Sequence, residues 1–297
     1  MNDPFSMHLI SQSQDASNHH LDRWKAQLSL AFAKQAARTF LAKKQHIGPL
    51  VIQKTLHPEG EGICHGIIIH PPGGVAGGDE LTLEVTLASN ANVLLTTPGA
   101  GKWYKANSKV ASQHLQFDLA ENACLEWFPQ ENILFDSAMV DFSASINLAE
   151  NAKYAAWEIL CLGRQAKGER WNTGRLSQHS IIIRKHKIIW QERTLLMAGD
   201  RFFESLIGLG GNVISGSFVI AAGLAPANLL AECQQLQPQL GADANARYGV
   251  SALPEVFAAR YIGMSAPAAR QYFEKIWHIL RPWYLGHAAV RPRIWNT

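Results

Sequence analysis

The amino-acid sequence predicts a mainly β protein of many short strands, with two α-helices in its C-terminal third. Through most of the chain, apolar and polar residues alternate over short stretches, as they do in strands with one buried face. Clusters of Gly, Pro, Asn and Ser separate these stretches, as turns between strands do. Apolar residues first recur with helical spacing in 225–237, and again after Ser265.

Composition agrees with a large core and argues against two kinds of partner. Hydrophobic residues make up 47% of the 297 residues, and charged residues only 17%, against roughly 25% in an average globular protein. The net charge of +3 and the lack of a basic run beside aromatic residues argue against nucleic acid. No run of about 18 apolar residues could span a membrane. We interpret the sparse charge and the nine Trp residues as a surface covered by protein partners.

The cysteines and the first residues indicate a reducing compartment. The four cysteines are Cys64, Cys124, Cys161 and Cys233. They form no CxxC pair and are expected to be free thiols. Residues 1–20 are polar, lack the apolar segment of a signal peptide and are predicted to be a disordered tail. We therefore expect a cytoplasmic protein.

Strands are expected where the alternation is clearest. The first begins at Trp24, and a basic turn is expected to separate the second strand from the third. The predicted strands are 24–32, 39–41, 48–53, 63–70, 81–87, 93–97, 113–119, 143–148, 154–162 and 218–222, together with a hairpin of 178–184 and 188–196.

Two helices and an apolar tail complete the chain. The first helix is predicted at 225–237. In the second, Ser265 can cap the N-terminus, Pro267 suits the first turn, and a wide apolar face is expected to end at Pro282. The tail 286–297 is too apolar to be solvent-facing coil, so we expect it to dock on its own domain or on a partner.

The segment 70–105 is the part around which the rest of the chain is organised. Two prolines and four glycines form a sharp turn that delivers Asp79 and Glu80 to the start of a strand. Residues 99–102 lack the preceding Gly and following Ser or Thr of a phosphate-binding loop. A strand follows the first turn, whereas a dinucleotide site would need a helix there. A tight β connection without a ligand remains open.

Several carboxylates lie among large apolar side chains. Such groups must be paired, bind a cation or have a raised pKa, unless they lie in solvated turns. They are Glu126, Glu131, Asp136, Glu158, Glu169 and Glu192. Cys64 and His70 share one strand face, as either a small ligand site or a buried thiol beside a loop-anchoring histidine. No known catalytic motif is present.

A series of longer motifs runs along nearly the whole chain. They read HPPGGVAGGDEL at 70–81, TTPGAGKWYK at 96–105, LEWFPQENILF at 125–135 and WEILCLGRQAKGE at 157–169, followed by ER at 192–193, LRP at 280–282 and PRIWNT at 292–297. In this order they resemble the signature of the UreD family of urease accessory proteins, also called UreH. Gly101 departs from the Ser or Thr usual in that family, and Trp103 and Lys105 replace the commoner Phe and Arg.

The resemblance implies a non-enzymatic, chaperone-like scaffold in nickel insertion into urease. It also implies a single UreD-like domain at 21–297, built as a β-helix-like stack of short strands with two helices. Family members bind the accessory protein UreF and, through it, the GTPase UreG, and the assembly docks on apo-urease. No tightly bound cofactor is implied, only transient nickel(II) in a channel. Isolated carboxylates would release the ion more readily than a His/Cys cage.

On this resemblance, acids and two cations are assigned to the nickel route. The acids are Asp79, Glu80, Glu158, Glu169 and Glu192, and the cations that shape the field are Arg193 and Lys102. Each acid has an alternative role, which is to brace a turn or strand by hydrogen bonds.

Two further hypotheses concern the surface that binds a partner and a competing enzymatic function. The partner surface is expected at Trp277, Trp283, Arg291, Arg293 and Trp295, although Trp277 is equally suited to the core. The competing function is a β-helical hydrolase that uses carboxylate acid/base catalysis. Its acids would be Glu126, Glu158 and Glu192.

Overall fold

A computed structural model describes residues 24–238, 243 and 245–296, so the tail predicted at 1–20 lies outside the described residues. The strands in this part of the chain are β1 (Lys25–Gln35), β2 (Arg38–Ile47), β3 (Val51–Ile52), β4 (Ile63–Ile69), β5 (Glu80–Leu87), β6 (Asn92–Thr96), β7 (Gly101–Trp103), β8 (Ala111–Leu119), β9 (Cys124–Phe128), β10 (Asn132–Leu134), β11 (Met139–Leu148), β12 (Lys153–Leu162), β13 (Arg175–Arg184), β14 (Lys187–Met197), β15 (Ile214–Ala221), β16 (Arg247–Ala252) and β17 (Phe257–Gly263). The helices are α1 (Ala227–Gln235) and α2 (Ala266–Leu285). Neither helix has the length and apolarity needed to cross a bilayer.

The strands form two sheets that face each other. The first has the order β14-β13-β11-β8-β5-β1-β2, and the second has the order β16-β17-β15-β12-β9-β6-β4-β3, with β7 and β10 attached beside β12. From β4 to β13 the chain passes back and forth between the sheets. Successive strands within each sheet pair in parallel, as β5, β8 and β11 do in the first and β4, β6, β9 and β12 in the second. This coiling confirms the β-helix-like stack that the resemblance implied.

The main core lies between the two sheets. The alternation in β5 predicts its orientation correctly, because Leu83 and Val85 are buried between the sheets and Thr86 is exposed. Fully burying an aliphatic side chain of this size contributes about 1.5–3 kcal/mol. Every coil repeats this arrangement, so the two sheets are held together along their length.

A second core lies between the second sheet and α2, which packs on the outer face of that sheet across β12, β15 and β17. Ser265 caps α2 as predicted, and its side chain accepts a hydrogen bond from the Ala268 N–H at 3.3 Å. Phe273, Ile276 and Trp277 are fully buried on the face that meets the sheet. β12 therefore separates two cores, and its alternate residues enter one or the other.

Several elements differ from the prediction in their bounds or in being present at all. The basic segment expected to be a turn belongs to β2, an edge strand on which the exposed Lys43 and Lys44 are well tolerated. The second helix continues past Pro282 and ends at Gly286, whose φ of 77° is readily adopted by glycine. The strands β7, β9, β10, β16 and β17 were not predicted.

Candidate functional site

A cavity of about 340 Å³ lies between the two sheets. This volume can hold about ten water molecules. Most of its lining is apolar and comes from both sheets. Examples are Leu81, Leu83, Leu115, Trp127, Phe142, Ile146, Tyr154 and Val219. The cavity lies within the main core. The core is therefore less completely filled than the close-packed interior of most proteins.

Polar side chains converge at one end of the cavity. Glu158 lies on the inward face of β12 and accepts a hydrogen bond from Gln178 Nε2 on β13. Glu192 lies on β14 and accepts a bond of 3.4 Å from Ser217 Oγ on β15. It also forms an ion pair with Arg260 on β17, with 3.1 Å between Nη2 and Oε2. Two carboxylates from opposite sheets therefore meet at this end.

The two carboxylates have different electrostatic surroundings. Burial, together with the nearby charge of Glu192, raises the pKa of Glu158 to about 8. Glu158 therefore holds a proton at neutral pH. Trp190 also lines the cavity, and its buried Nε1–H has no acceptor among the described residues.

The Gly-rich turns of the 70–105 segment also contribute to the cavity lining. His70 and Lys102 line it, and burial lowers the pKa of His70, so that this imidazole is neutral at pH 7. Trp103 Nε1 donates to Asn132 Oδ1 at 3.0 Å and holds the second turn in place. Of the two predicted cations, Lys102 therefore lies at the cavity.

Three of the predicted acids brace the structure outside the cavity lining. Asp79 accepts hydrogen bonds from the Ala76 and Trp24 N–H groups, and Glu80 forms an ion pair with Lys25. Glu169 binds Arg164 in a surface turn. These positions agree with the alternative role given to each acid. Glu158 and Glu192 are the two predicted acids that line the cavity.

The predicted cation Arg193 does not line the cavity. It follows Glu192 on β14, and adjacent residues of a strand point to opposite faces, so its side chain is exposed on the outer face. The arginine beside Glu192 is Arg260, which the sequence reasoning missed. The sequence does contain a signal for Arg260, because it is the single charged residue in the apolar strand 257–263. Burying such a charge is costly without a partner.

Cys64 and His70 belong to no larger set of metal ligands in the described part of the chain. Burial raises the pKa of the Cys64 thiol to about 11, so it stays protonated and is a poor ligand at neutral pH. Cys64 lies in the main core, as the second of the two interpretations proposed. Among the described residues, no three His, Cys, Asp or Glu side chains are grouped closely enough to hold a metal ion.

Glu126 belongs to a buried ion-pair network on the outer face of the second sheet. Arg281 of α2 binds Glu126 at 2.9 Å and also pairs with Glu59. Tyr284 Oη and Trp277 Nε1 donate to Glu126 at 2.5 and 2.7 Å. The network anchors α2 and separates Glu126 from the cavity acids, so the three acids assigned to the hydrolase do not share a site.

The remaining acids of the 125–136 segment are also paired. Glu131 binds Arg270 of α2, and Asp136 accepts hydrogen bonds from the Asn172 and Thr173 N–H groups in a turn. Hydrogen bonds from that backbone lower the pKa of Asp136.

The predicted partner residues divide into core and surface. Trp277 is fully buried, and Trp295 is 5% exposed in the second core, so neither presents a surface to a partner. Both lie in the second core because the tail folds back onto the protein, as one of the two expectations for it stated. Trp283 is half-buried, while Arg291 and Arg293 are exposed.

Comparison with known proteins places the chain in one group of relatives. A family model described as UreD urease accessory protein matches residues 25–296. Proteins named urease accessory protein UreD are similar over nearly their whole length. That of Methylobacillus flagellatus is 55% identical, over 93% of this chain and 95% of the relative, and that of Dechloromonas aromatica is 43% identical, over 94% and 96%. That of Nitrosococcus oceani is 41% identical, over 92% and 90%.

Proposed function

Because the chain belongs to the family of UreD urease accessory proteins, we propose that it is a scaffold for nickel delivery to urease. In this proposal it binds UreF and, through UreF, the GTPase UreG. The assembly docks on apo-urease, and GTP hydrolysis belongs to UreG. Nickel(II) is cargo, which crosses this chain through the cavity between the sheets.

The observation that carries the proposal is the pair of carboxylates in that cavity. Glu158 and Glu192 come from different sheets and face a space large enough for an ion with part of its water shell. A cation that must cross a protein needs sites that admit it and also release it. Carboxylate, hydroxyl and amide oxygens meet this need better than a cage of thiolates and imidazoles.

The two carboxyl groups are tested by replacing each with an amide of the same shape, which cannot ionise. We expect the double variant E158Q/E192Q to bind UreF and UreG normally and to activate apo-urease at least tenfold more slowly in the presence of Ni²⁺, bicarbonate and GTP. The control is E80Q, which makes the same Glu-to-Gln change at an acid outside the cavity lining. Normal activation by the double variant, with all components assembled, would reject the cavity as the nickel route.

For the partner surface, the proposal retains the exposed part of the predicted set. Trp283, Arg291 and Arg293 lie at the end of α2 and in the tail, where aromatic and arginine side chains suit an interface. We expect W283A/R293A to weaken co-purification with UreF while the melting temperature changes little. Unchanged co-purification would move the UreF surface elsewhere on the chain.

A further inference from the structure

Arg260 occupies the side of the cavity where the two carboxylates meet. Within the second sheet, Arg260 of β17 pairs with Ser217 of β15, and Ser217 pairs with Glu158 of β12. Residues paired across neighbouring strands point to the same face. The three side chains therefore form one row on the inward face of this sheet.

From this row Arg260 reaches across to the first sheet. Its Nη2 lies 3.1 Å from Glu192 Oε2, and its Nη1 donates to Ser217 Oγ. The guanidinium lies 5.4 Å from the centroid of the Trp190 ring, close enough for a cation–π contact. The Arg260 side chain is 42% exposed and that of Glu192 is 23% exposed. The guanidinium therefore bridges the sheets between solvent and the cavity.

The guanidinium of Arg260 lies where a free cation attracted to Glu192 would bind. Oxygen atoms of Glu158, Gln178, Ser217 and Glu192 surround this end of the cavity. Such oxygens are suitable ligands for a divalent ion. Without Arg260, Glu192 would lose the cation that lies 3.1 Å from its Oε2, and a divalent ion would bind there more tightly.

We propose that Arg260 is a tethered counter-cation that competes with the transported divalent ion for Glu192 and so keeps the affinity of the cavity low. This inference rests on the proposed nickel route. An entering ion displaces the guanidinium from Glu192, and the returning guanidinium helps to release the ion. Because Arg260 is partly exposed, its side chain has room to swing towards solvent.

The test compares Ni²⁺ binding by variants of the full chain. We expect R260M to bind Ni²⁺ at least tenfold more tightly than wild type in equilibrium dialysis at pH 7.5, and R260K to remain within threefold of wild type. The matched control is R193M, which removes the same charge one residue from Glu192 but on the outer face of β14. The gain should disappear in E192Q/R260M, because the freed carboxylate is its cause.

Two outcomes would overturn the inference. One is an R260M affinity no higher than that of R193M, and the other is a gain that persists in E192Q/R260M. R260Q serves as the second neutral variant, and a melting curve confirms that each protein is folded. The route itself is judged separately by the activation assay with E158Q/E192Q. An unchanged affinity in R260M beside lost activation in E158Q/E192Q would reject the role of Arg260 and keep the route.

Discussion

A side chain at position 101 would compete for space with Asn132. A Cβ built on Gly101 would lie 2.5 Å from Asn132 Oδ1, the atom that accepts the hydrogen bond of Trp103. Any residue larger than glycine at position 101 would therefore require Asn132 to shift. Asn132 fills the volume that a larger residue would need.

We expect G101A to lower the free energy of unfolding by about 1–3 kcal/mol, because overpacking forces Asn132 or the turn to shift. Urea unfolding followed by tryptophan fluorescence measures the change. Gly99 in the same turn has open space around its Cβ position, so G99A should change stability by less than about 0.5 kcal/mol. In G101A/N132A the two costs should be less than additive. Strict additivity would mean that the two residues do not share the space.

Glu158 should make the stability of the metal-free protein depend on pH. Its pKa rises from 4.5 to about 8 on folding. Between these values the folded protein holds a proton that the unfolded chain has released, so the free energy of unfolding falls as pH rises. Relative to E158Q, we expect wild type to lose on the order of 3 kcal/mol between pH 5 and pH 8.

The measurement for Glu158 is urea unfolding in the presence of a chelator at several pH values. E158Q keeps the acceptor for Gln178 and has no proton to release, so its profile should be flatter than that of wild type. E80Q should retain the wild-type profile. Parallel profiles for wild type and E158Q would show that Glu158 is ionised in the folded protein.

At the scale of elements, α2 is attached to the sheet by an unusually buried arginine. Arg281 is fully buried and bridges Glu126 on β9 to Glu59 in the loop before β4. Burial opposes the charge, but the hydrogen bonds and charges of both carboxylates outweigh it and raise the pKa of Arg281. The arginine therefore ties one helix to two distant parts of the chain.

We expect R281M to lower the free energy of unfolding by about 3–5 kcal/mol, because it leaves two buried carboxylates without their counter-charge. Chemical unfolding measures the loss, and hydrogen exchange should show weakened protection first in α2. The control is R291M, which breaks the partly exposed pair with Glu274 and should cost less than about 1 kcal/mol. Equal losses in the two variants would contradict a special role for the buried pair.

At the scale of the whole molecule, local patterns predicted the strands and helices better than they predicted the site. The alternation in β5 and the cap at Ser265 depend on neighbours in sequence, so both could be predicted. Glu158 and Glu192 could also be predicted as candidate site residues, because an acid within an apolar strand is costly unless it has a role. Their meeting with Arg260 could not be predicted, because it depends on how the two sheets stack and on which residues of β12, β15 and β17 are in register.

The same limit explains why the residues of the partner surface were only partly predicted to be exposed. Aromatic residues near the end of a chain suit an interface or a core equally well, and only the path of the tail decides between them. Trp295 returns to the second core, where its Nε1 donates to Thr96 Oγ1 at 2.7 Å, across 199 positions of sequence. Its ring contacts those of Phe128, Trp157 and Trp277. The tail therefore closes the fold by joining its last described residues to β6, β9 and β12.

This closure predicts that a change at the end of the chain destabilises the whole protein. W295A removes a buried indole and leaves a cavity, so the free energy of unfolding should fall by about 3–5 kcal/mol in a single cooperative transition. Urea unfolding followed by far-ultraviolet circular dichroism measures it, because that signal reports both sheets. R293A, at an exposed position two residues earlier, should change stability by less than about 0.5 kcal/mol. A W295A protein with wild-type stability and weakened UreF binding would instead return Trp295 to the partner surface.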